Sequence, residues 1–361
     1  MMLNQERSAN IKKAAYDNGI DCILLIPGIN LFYMSGLQMD PSERITLIVV
    51  PVDAEPAAVV PLLEAERVAS ATGIKNIFSY GDEQGPVSSI QTALSRRRKY
   101  VYGVEFRYMR LLESKMLEQS IGPVELRDSG PLFARLRARK DNDELAIMER
   151  AAHIADEAVA AGISAVRPDV SERSVADIIE EIIKRHRAEA GIAVVSGARS
   201  AVPHAHTSDK IIERGDAVWI DIVVHHESYV ADITRSCFAG KPDQDLLKIY
   251  EIVLEAQERG RTIAKPGMTG EQVDALCRDY IIEAGYGDHF IHRTGHGIGL
   301  EVHEEPYIVK GNHNELEPGM TFTVEPGIYS AQKGGIRIED DVVLTMDGVG
   351  SLTNARRDLV H

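Results

Sequence analysis

The segment His292 to Pro306, HRTGHGIGLEVHEEP, places three of the chain's twelve histidines and three glycines within fifteen residues. Imidazoles at this density can ligate a metal, shuttle protons or simply lie near a turn. His296 stands between Gly295 and Gly297, where bare backbone lets a ring reach deep into a cleft, so it is the expected metal ligand. His292 and His303 flank it in the same segment and are candidates for binding substrate or supporting a tetrahedral oxyanion.

Acids of matching chemistry occur elsewhere. AVWIDIVVHHESYVADITRSCF (217–238) reads as a hairpin, and a four-residue loop at HHES (225–228) would set Asp221 opposite Asp232. Directly opposed side chains share a face with Cβ atoms about 4.5–5.5 Å apart. Two carboxylates that close, flanked by Trp219, Ile222 and Ile233, repel one another and hydrate poorly, which a cation between them would relieve. A solvated hairpin rim carrying two unrelated acids is the plainer alternative, and the apolar flanks argue against it. Glu325 ends the apolar strand MTFTVEPG, and Glu339 lies in GGIRIEDDVVLT, two residues from Arg337 and so on the same strand face. Two Asp, two Glu and one His form a hard, oxygen-rich donor set suited to two divalent ions. Such ions lie about 3.5–4 Å apart and activate a shared water. His225 and His226 fall in the expected turn and read as solvated.

The elements that must carry these residues form two parts. Residues 1–134 alternate helix-like and strand-like segments: a helix at 5–18, strands at 21–27, 44–51 and 100–106, and a helix near 63–71. This is the pattern of a small α/β domain. After RDSGPLF (127–133) the character changes, and 135–361 forms the second domain. Here RPDVSERSVADII (167–179) aligns with KPGMTGEQVDALC (265–277) at an offset of 98 residues. Each unit has a base, a proline, an N-cap hydroxyl (Ser171, Thr269) and an apolar helical stripe: Val175, Ile178, Ile179, Ile182 and Ile183, then Val273, Leu276, Cys277, Tyr280 and Ile281. A long helix precedes each unit (141–164 and 243–264), the first opening with the capping pair Asp141 and Glu144. Each second helix is expected to stop at an EAG triplet (189–191 and 283–285). Two packed halves leave a ligand cleft between them.

Composition narrows the function classes. The 361 residues carry a formal net charge of −15, which speaks against a nucleic-acid surface. Cys22, Cys237 and Cys277 are too scattered for a disulfide framework or a zinc finger, so a reducing compartment is expected. The N-terminal stretch lacks the apolar run of a signal peptide, and no apolar run approaches membrane-spanning length. A cytoplasmic protein that binds neither nucleic acid nor membrane is the expectation.

Asp221, Asp232, His296, Glu325 and Glu339 together resemble the five-ligand dinuclear site of the methionine aminopeptidase/prolidase superfamily. INLFYMSG (29–36) and DPSERITLIVV (40–50) look like the N-terminal domain of creatinases and prolidases. HRTGHGIGLEVHEEP, TVEPGIY and GIRIEDDVVLT are most similar to the proline-specific branch, and the likeness covers nearly the whole chain. The resemblance implies an α+β protein. Its catalytic domain would have the pita-bread (creatinase/aminopeptidase-like) fold with internal pseudo-twofold duplication, preceded by a smaller α/β creatinase/prolidase N-terminal domain.

It also implies roles. Asp221 and Glu339 would bridge two divalent metal ions, Asp232 would complete one, and His296 with Glu325 the other. Glu325 would act as general base. His204, in SAVPHAH, matches a substrate-site histidine, and His292, His303 and Arg337 match substrate and transition-state groups. The oxygen-rich shell suits Mn2+, while Co2+, Zn2+ or Fe2+ would be accommodated. The implied activity is hydrolysis of Xaa-Pro bonds in short proline-containing peptides by a homodimeric Xaa-Pro dipeptidase. The alternatives are an Xaa-Pro aminopeptidase acting on longer peptides and a non-catalytic pita-bread binding protein. A metal-free creatinase-like enzyme is disfavoured because all five ligands are present. The sequence departs from many relatives at Val223 and Ser228, where glycines are usual in the hairpin.

Overall fold

The computed structural model describes residues 4–95 and 99–358. The chain divides into two compact units, Met1–Arg137 and Ala138–His361. The first runs α1 (Gln5–Asp17), β1 (Cys22–Leu25), α2 (Ile29–Ser35), β2 (Leu47–Pro51), β3 (Ala57–Pro61), α3 (Ala65–Thr72), β4 (Asn76–Tyr80), α4 (Val87–Leu94), β5 (Val101–Val104), α5 (Leu111–Ile121) and β6 (Glu125–Asp128). The division falls within α6 (Gly130–Ala138). The six strands form one mixed sheet in the order β4-β3-β2-β1-β5-β6. Strands β1, β2 and β3 are buried at every position, as expected of strands covered on both faces. Leu24, Leu47, Val59 and Tyr102 lie in the core they build.

The second unit shows the duplication. Its first half has α7 (Asn142–Ala165), α8 (Glu172–Arg185), β7 (Glu189–Ser196), β8 (Ala217–His226) and β9 (Tyr229–Phe238). Its second half opens with α9 (Gln244–Ile263) and α10 (Gly270–Glu283). There follow β10 (Gly295–Gly297), β11 (Glu304–Ile308), β12 (Thr321–Val324), β13 (Gly327–Ser330), β14 (Gly334–Arg337), β15 (Asp340–Leu344) and β16 (Val349–Ser351). Strands β7-β8-β9 form one antiparallel sheet and β11-β10-β12-β15-β16 another, with β13 and β14 as a separate pair.

The caps explain where the helices start. Asp141 and Glu144 each accept the other's backbone N–H, at 2.9 and 2.8 Å. Ser171 accepts from Ser174 N, and Thr269 and Gln272 form the matching box on α10. Each such cap stabilises its helix by about 1 kcal/mol. The helical stripes face inward as read, except that Ile178 is exposed.

Two expectations need correction. The second EAG triplet ends α10, with Gly285 at φ +88°, but the first does not end α8. That helix stops at Arg185, and Arg187 takes the left-handed position at φ +55°, so Glu189, Ala190 and Gly191 are free to begin β7. The hairpin register is the other. Its turn holds two residues, Glu227 and Ser228, at φ +48° and +71°. This pair of left-handed residues matches the twist of the flanking strands, as in a type I′ turn. His225 and His226 are therefore the last residues of β8, paired with Val230 and Tyr229, and not part of the turn. Asp221 lies opposite Thr234, and Asp232 lies opposite Val223.

Candidate metal centre

The corrected register moves Asp232 two residues along β9 relative to Asp221, and side chains two apart on a strand point to the same face. The acids thus remain diagonal neighbours on one side of the hairpin. Asp232, Thr234 and Ser236 form a row there, and all three are buried. Glu339 lies between β14 and β15 and bridges to Thr234, its N–H donating to the Thr234 carbonyl at 3.0 Å. That pairing places the Glu339 side chain inside the protein, 2 % exposed.

His296 reaches the same place from β10. Strands pack so tightly around it that a Cβ on Gly295 would lie 1.9 Å from the Thr323 carbonyl oxygen, and one on Gly297 would lie 2.2 Å from that of Glu305. Only glycine fits at either side. The His296 Nδ1 lies 3.1 Å from the Gly297 carbonyl, which can only accept, so Nδ1 carries the proton. Nε2 therefore presents its lone pair, 3.3 Å from Glu325 Oε1 and 4.0 Å from Asp232 Oδ2. Burial, reinforced by His303, pushes the imidazole down to about 3, so the ring is neutral. A neutral imidazole with its second nitrogen held by a carbonyl is the form that ligates metals.

One donor atom each from Asp232, His296 and Glu339 lies within 4.8 Å of the others. Glu325, just past β12, joins them through His296. Asp221 stands at the rim, its side chain 28 % exposed, with Oδ2 accepting from Arg337 Nη2 at 2.6 Å. Burial, then the Asp221 and Asp341 charges, push the Asp232 carboxyl well above its usual range. Burial, then Asp232, do the same to Glu339. Burial takes Glu325 up to about 7 against the pull of Arg337. Anionic groups held together out of water in this way fit divalent cations, with one soft nitrogen among hard oxygens.

The other expected residues surround this group. Arg337 is buried. Its Nε donates to Thr234 Oγ1 at 3.0 Å and its Nη1 to Tyr329 Oη at 2.9 Å. His292 is half-buried; burial lowers it to about 4, and its Nδ1 donates to the Arg293 carbonyl at 2.7 Å. Its Nε2 must then accept from the Tyr329 hydroxyl at 3.0 Å, so both ring nitrogens are satisfied inside the protein. His303 is exposed and sets its ring edge-on to His296, with centroids 4.3 Å apart. His204 is exposed on the loop after β7, close enough to His292 to affect it electrostatically.

Sequence reasoning missed three side chains here. Thr234 Oγ1 donates to Glu339 Oε2 at 2.6 Å while accepting from Arg337. Tyr329 joins Arg337 to His292. Asp341 accepts the backbone N–H of Asp232 at 2.8 Å. The signal for Thr234 and Asp341 was strand alternation, since each lies two residues beyond an expected ligand. Tyr329 had no such signal.

Comparison with known proteins finds relatives over both units. The creatinase/prolidase N-terminal domain matches residues 7–139, and metallopeptidase family M24 matches residues 146–346. An Xaa-Pro dipeptidase of Pyrococcus furiosus is 37% identical over 361 residues, covering 99% of this chain and 100% of the relative. The solved Xaa-Pro dipeptidase from Bacillus anthracis has a TM-score of 0.89 at 34% identity, covering 99% of each chain. The X-Pro aminopeptidase from Thermotoga maritima has a TM-score of 0.83 at 31% identity, covering 98% of this chain and 99% of that one. The catalytic unit has the pita-bread architecture expected above, and the buried Asp, His and Glu group fits the divalent metal of a metallopeptidase. The chain belongs to metallopeptidase family M24, with a creatinase/prolidase N-terminal domain ahead of the catalytic part.

Proposed function

We propose that the chain is a metal-dependent Xaa-Pro dipeptidase. The observation that carries the reading is the buried group of Asp232, His296 and Glu339, with the half-buried Glu325 beside the neutral Nε2 of His296, in a chain whose full-length relatives include Xaa-Pro dipeptidases. Asp221, Asp232, His296, Glu325 and Glu339 would hold two divalent ions, with manganese favoured by the oxygen-rich set. When bound, such ions polarise a scissile carbonyl and make water more acidic.

The chain's own residues do the rest. Glu325 Oε1 accepts from Thr323 Oγ1 at 3.3 Å, which leaves Oε2 to take a proton from the attacking water and return it to the leaving prolyl nitrogen. His303 supports the developing oxyanion from beside His296. Arg337 steadies Asp221 and, through Tyr329, His292. In this reading Arg337 and His292 belong to the proline side of the substrate, and His204 to the substrate site. The tertiary amide of an Xaa-Pro bond has no N–H to donate, so a site shaped to the ring selects for it.

The proposed assembly is a homodimer, and the proposed location is the cytoplasm. Three free, buried cysteines suit a reducing compartment, and no helix among the described residues is long and apolar enough to cross a membrane. Elemental analysis followed by a series of Xaa-Pro dipeptides, tripeptides and longer peptides tests the activity. Cleavage limited to two residues supports the dipeptidase. Cleavage of longer peptides would give the Xaa-Pro aminopeptidase instead, and bound metal with no cleavage would leave a binding protein. Light scattering reads the dimer.

A further inference from the structure

Glu172, the first residue of α8, is a fully buried carboxylate that faces away from its own helix. Ser171 already caps that helix, so the acid is not needed there. Its Oε1 accepts from Ser196 N at 2.8 Å and Ser196 Oγ at 2.9 Å. Its Oε2 accepts from Ser208 N at 3.0 Å, Ser208 Oγ at 2.7 Å and Arg199 Nη1. Arg199 Nη2 in turn donates to the His206 carbonyl at 2.6 Å. Residues 197–207 thus form a compact surface loop whose two ends meet on one side chain, in the manner of an Ω-loop. The loop reaches the site: Arg337 Nη1 donates to the Pro203 carbonyl at 3.4 Å, and His204 follows. It is also tied to Trp219, whose Nε1 donates to the Ser200 carbonyl at 3.0 Å.

The second half repeats the device. On α10 the buried Asp274 accepts from Thr294 N at 3.2 Å, Thr294 Oγ1 at 2.7 Å and Arg278 Nε at 2.7 Å. Arg278 donates to the carbonyls of Phe290 and His292 at 3.1 and 2.7 Å. An acid, an arginine and a hydroxyl again pin a segment that carries a site histidine. Asp274 stands one helical turn beyond the strict repeat equivalent of Glu172. That equivalent is Gly270, where a Cβ would meet the Tyr307 carbonyl oxygen at 2.5 Å, so no acid fits.

We propose that Glu172 is a positioning residue for substrate binding, clamping the loop that presents His204 to the substrate. The proposal rests on the Xaa-Pro reading for its substrate, but the clamp has a readout of its own. Trp219 is the chain's single tryptophan, fully buried and hydrogen-bonded to that loop.

The test compares Glu172→Gln, Ser208→Ala and His204→Ala, singly and combined, in the full-length metal-loaded protein. Tryptophan emission and acrylamide quenching report the loop, and KM and kcat on an Xaa-Pro dipeptide report its consequence. E172Q should shift emission to the red and raise quenching, with S208A showing the same in smaller degree. KM should rise roughly tenfold in E172Q, the scale of one lost hydrogen bond to a charged group, with kcat changed less. In the H204A background, E172Q should change KM less than about twofold, as two substitutions acting through one group do. Should E172Q fail to fold, S208A alone decides: unchanged emission and unchanged KM overturn the clamp. Multiplying KM effects in the double variant overturn the route through His204. A wild-type protein that cleaves no Xaa-Pro peptide sinks the substrate reading, while the emission of E172Q still decides the clamp.

Discussion

Thr234→Val is the sharpest probe of the metal centre, because it removes one hydroxyl and almost no volume. The Thr234 hydroxyl is fully buried and lies between opposite charges, donating to Glu339 Oε2 at 2.6 Å and accepting from Arg337 Nε at 3.0 Å. Valine leaves both without that partner. Hydrogen bonds to charged groups contribute about 1.5–3 kcal/mol each, so losing both should cost the folded state about 3–6 kcal/mol. Glu339 is already pushed upward by burial and by Asp232, and losing a donor raises its proton affinity further. A cation must then displace that proton, and a 10–100-fold loss of metal affinity follows, the scale found for groups that orient ligands from behind.

Titration calorimetry of the metal-stripped protein with Mn2+ reads the affinity, and kcat at saturating metal reads the rest. Since the buried Thr234 hydroxyl is taken up by Glu339 and Arg337, kcat should return to within about threefold once the site is filled, as expected for a group that acts only on affinity. Wild-type affinity in T234V would show that Glu339 holds no metal. A loss of kcat that no metal concentration restores would show instead that Thr234 orients the reaction itself.

Three further outcomes are expected. Glu325→Gln should lower kcat on an Xaa-Pro dipeptide by about 10²–10⁴-fold, the usual contribution of a general base, while elemental analysis still finds metal. Ser228→Gly should stabilise the hairpin by about 0.5–1 kcal/mol, because serine at φ +71° carries a steric cost that glycine lacks; thermal unfolding should rise by roughly 1–3 °C. The metal-stripped protein should lose stability as pH rises. The folded Glu325 carboxyl lies near 7, above its ordinary value of 4.5, so the folded state binds the extra proton between those limits. That stability is present below about pH 4.5 and lost as pH climbs through 7, with Asp232 and Glu339 extending the loss upward. Denaturant titrations at pH 5 and 8, with and without metal, check the slope, which bound metal should flatten.

The helices and their duplication were legible in the sequence because caps and apolar stripes are local. Asp141, Ser171 and Thr269 announce their helices within four residues, and the structure places helices where they predict. The end of α8 was not legible, because Arg187 adopts a backbone conformation for which sequence favours glycine. For the same reason the hairpin turn was read as four residues long. Glu227 and Ser228 occupy positions where Asn-Gly would have announced a two-residue turn. The clamps on Glu172 and Asp274 were invisible for another reason: the serines and the threonine they hold lie 20 to 36 residues away, and only the Asp274–Arg278 pair, four apart on α10, shows in the spacing.

The register error nevertheless left the candidate site intact, and the reason is parity. Side chains on a strand alternate, so a slip of one residue would have sent Asp232 to the far side of the ribbon and put Ala231 or Ile233 among the acids. The slip was of two residues. It exchanged the partner of Asp221 from Asp232 to Thr234 and kept all three on one face. The exchange also has chemical content. Direct opposition would have pressed two carboxylates together, whereas the observed register puts a hydroxyl opposite Asp221 and leaves Asp232 diagonal to it. That hydroxyl is the one Glu339 and Arg337 share. The non-glycine turn, which hid the register from sequence reasoning, is thus what brings Thr234 to the centre of the acid cluster. Replacing Glu227 and Ser228 by Asn-Gly, the pair a two-residue type I′ turn favours, should hold the observed register more firmly. Thermal unfolding should rise with metal affinity unchanged, and a fall in affinity would mean that the turn side chains serve the site by a route other than register.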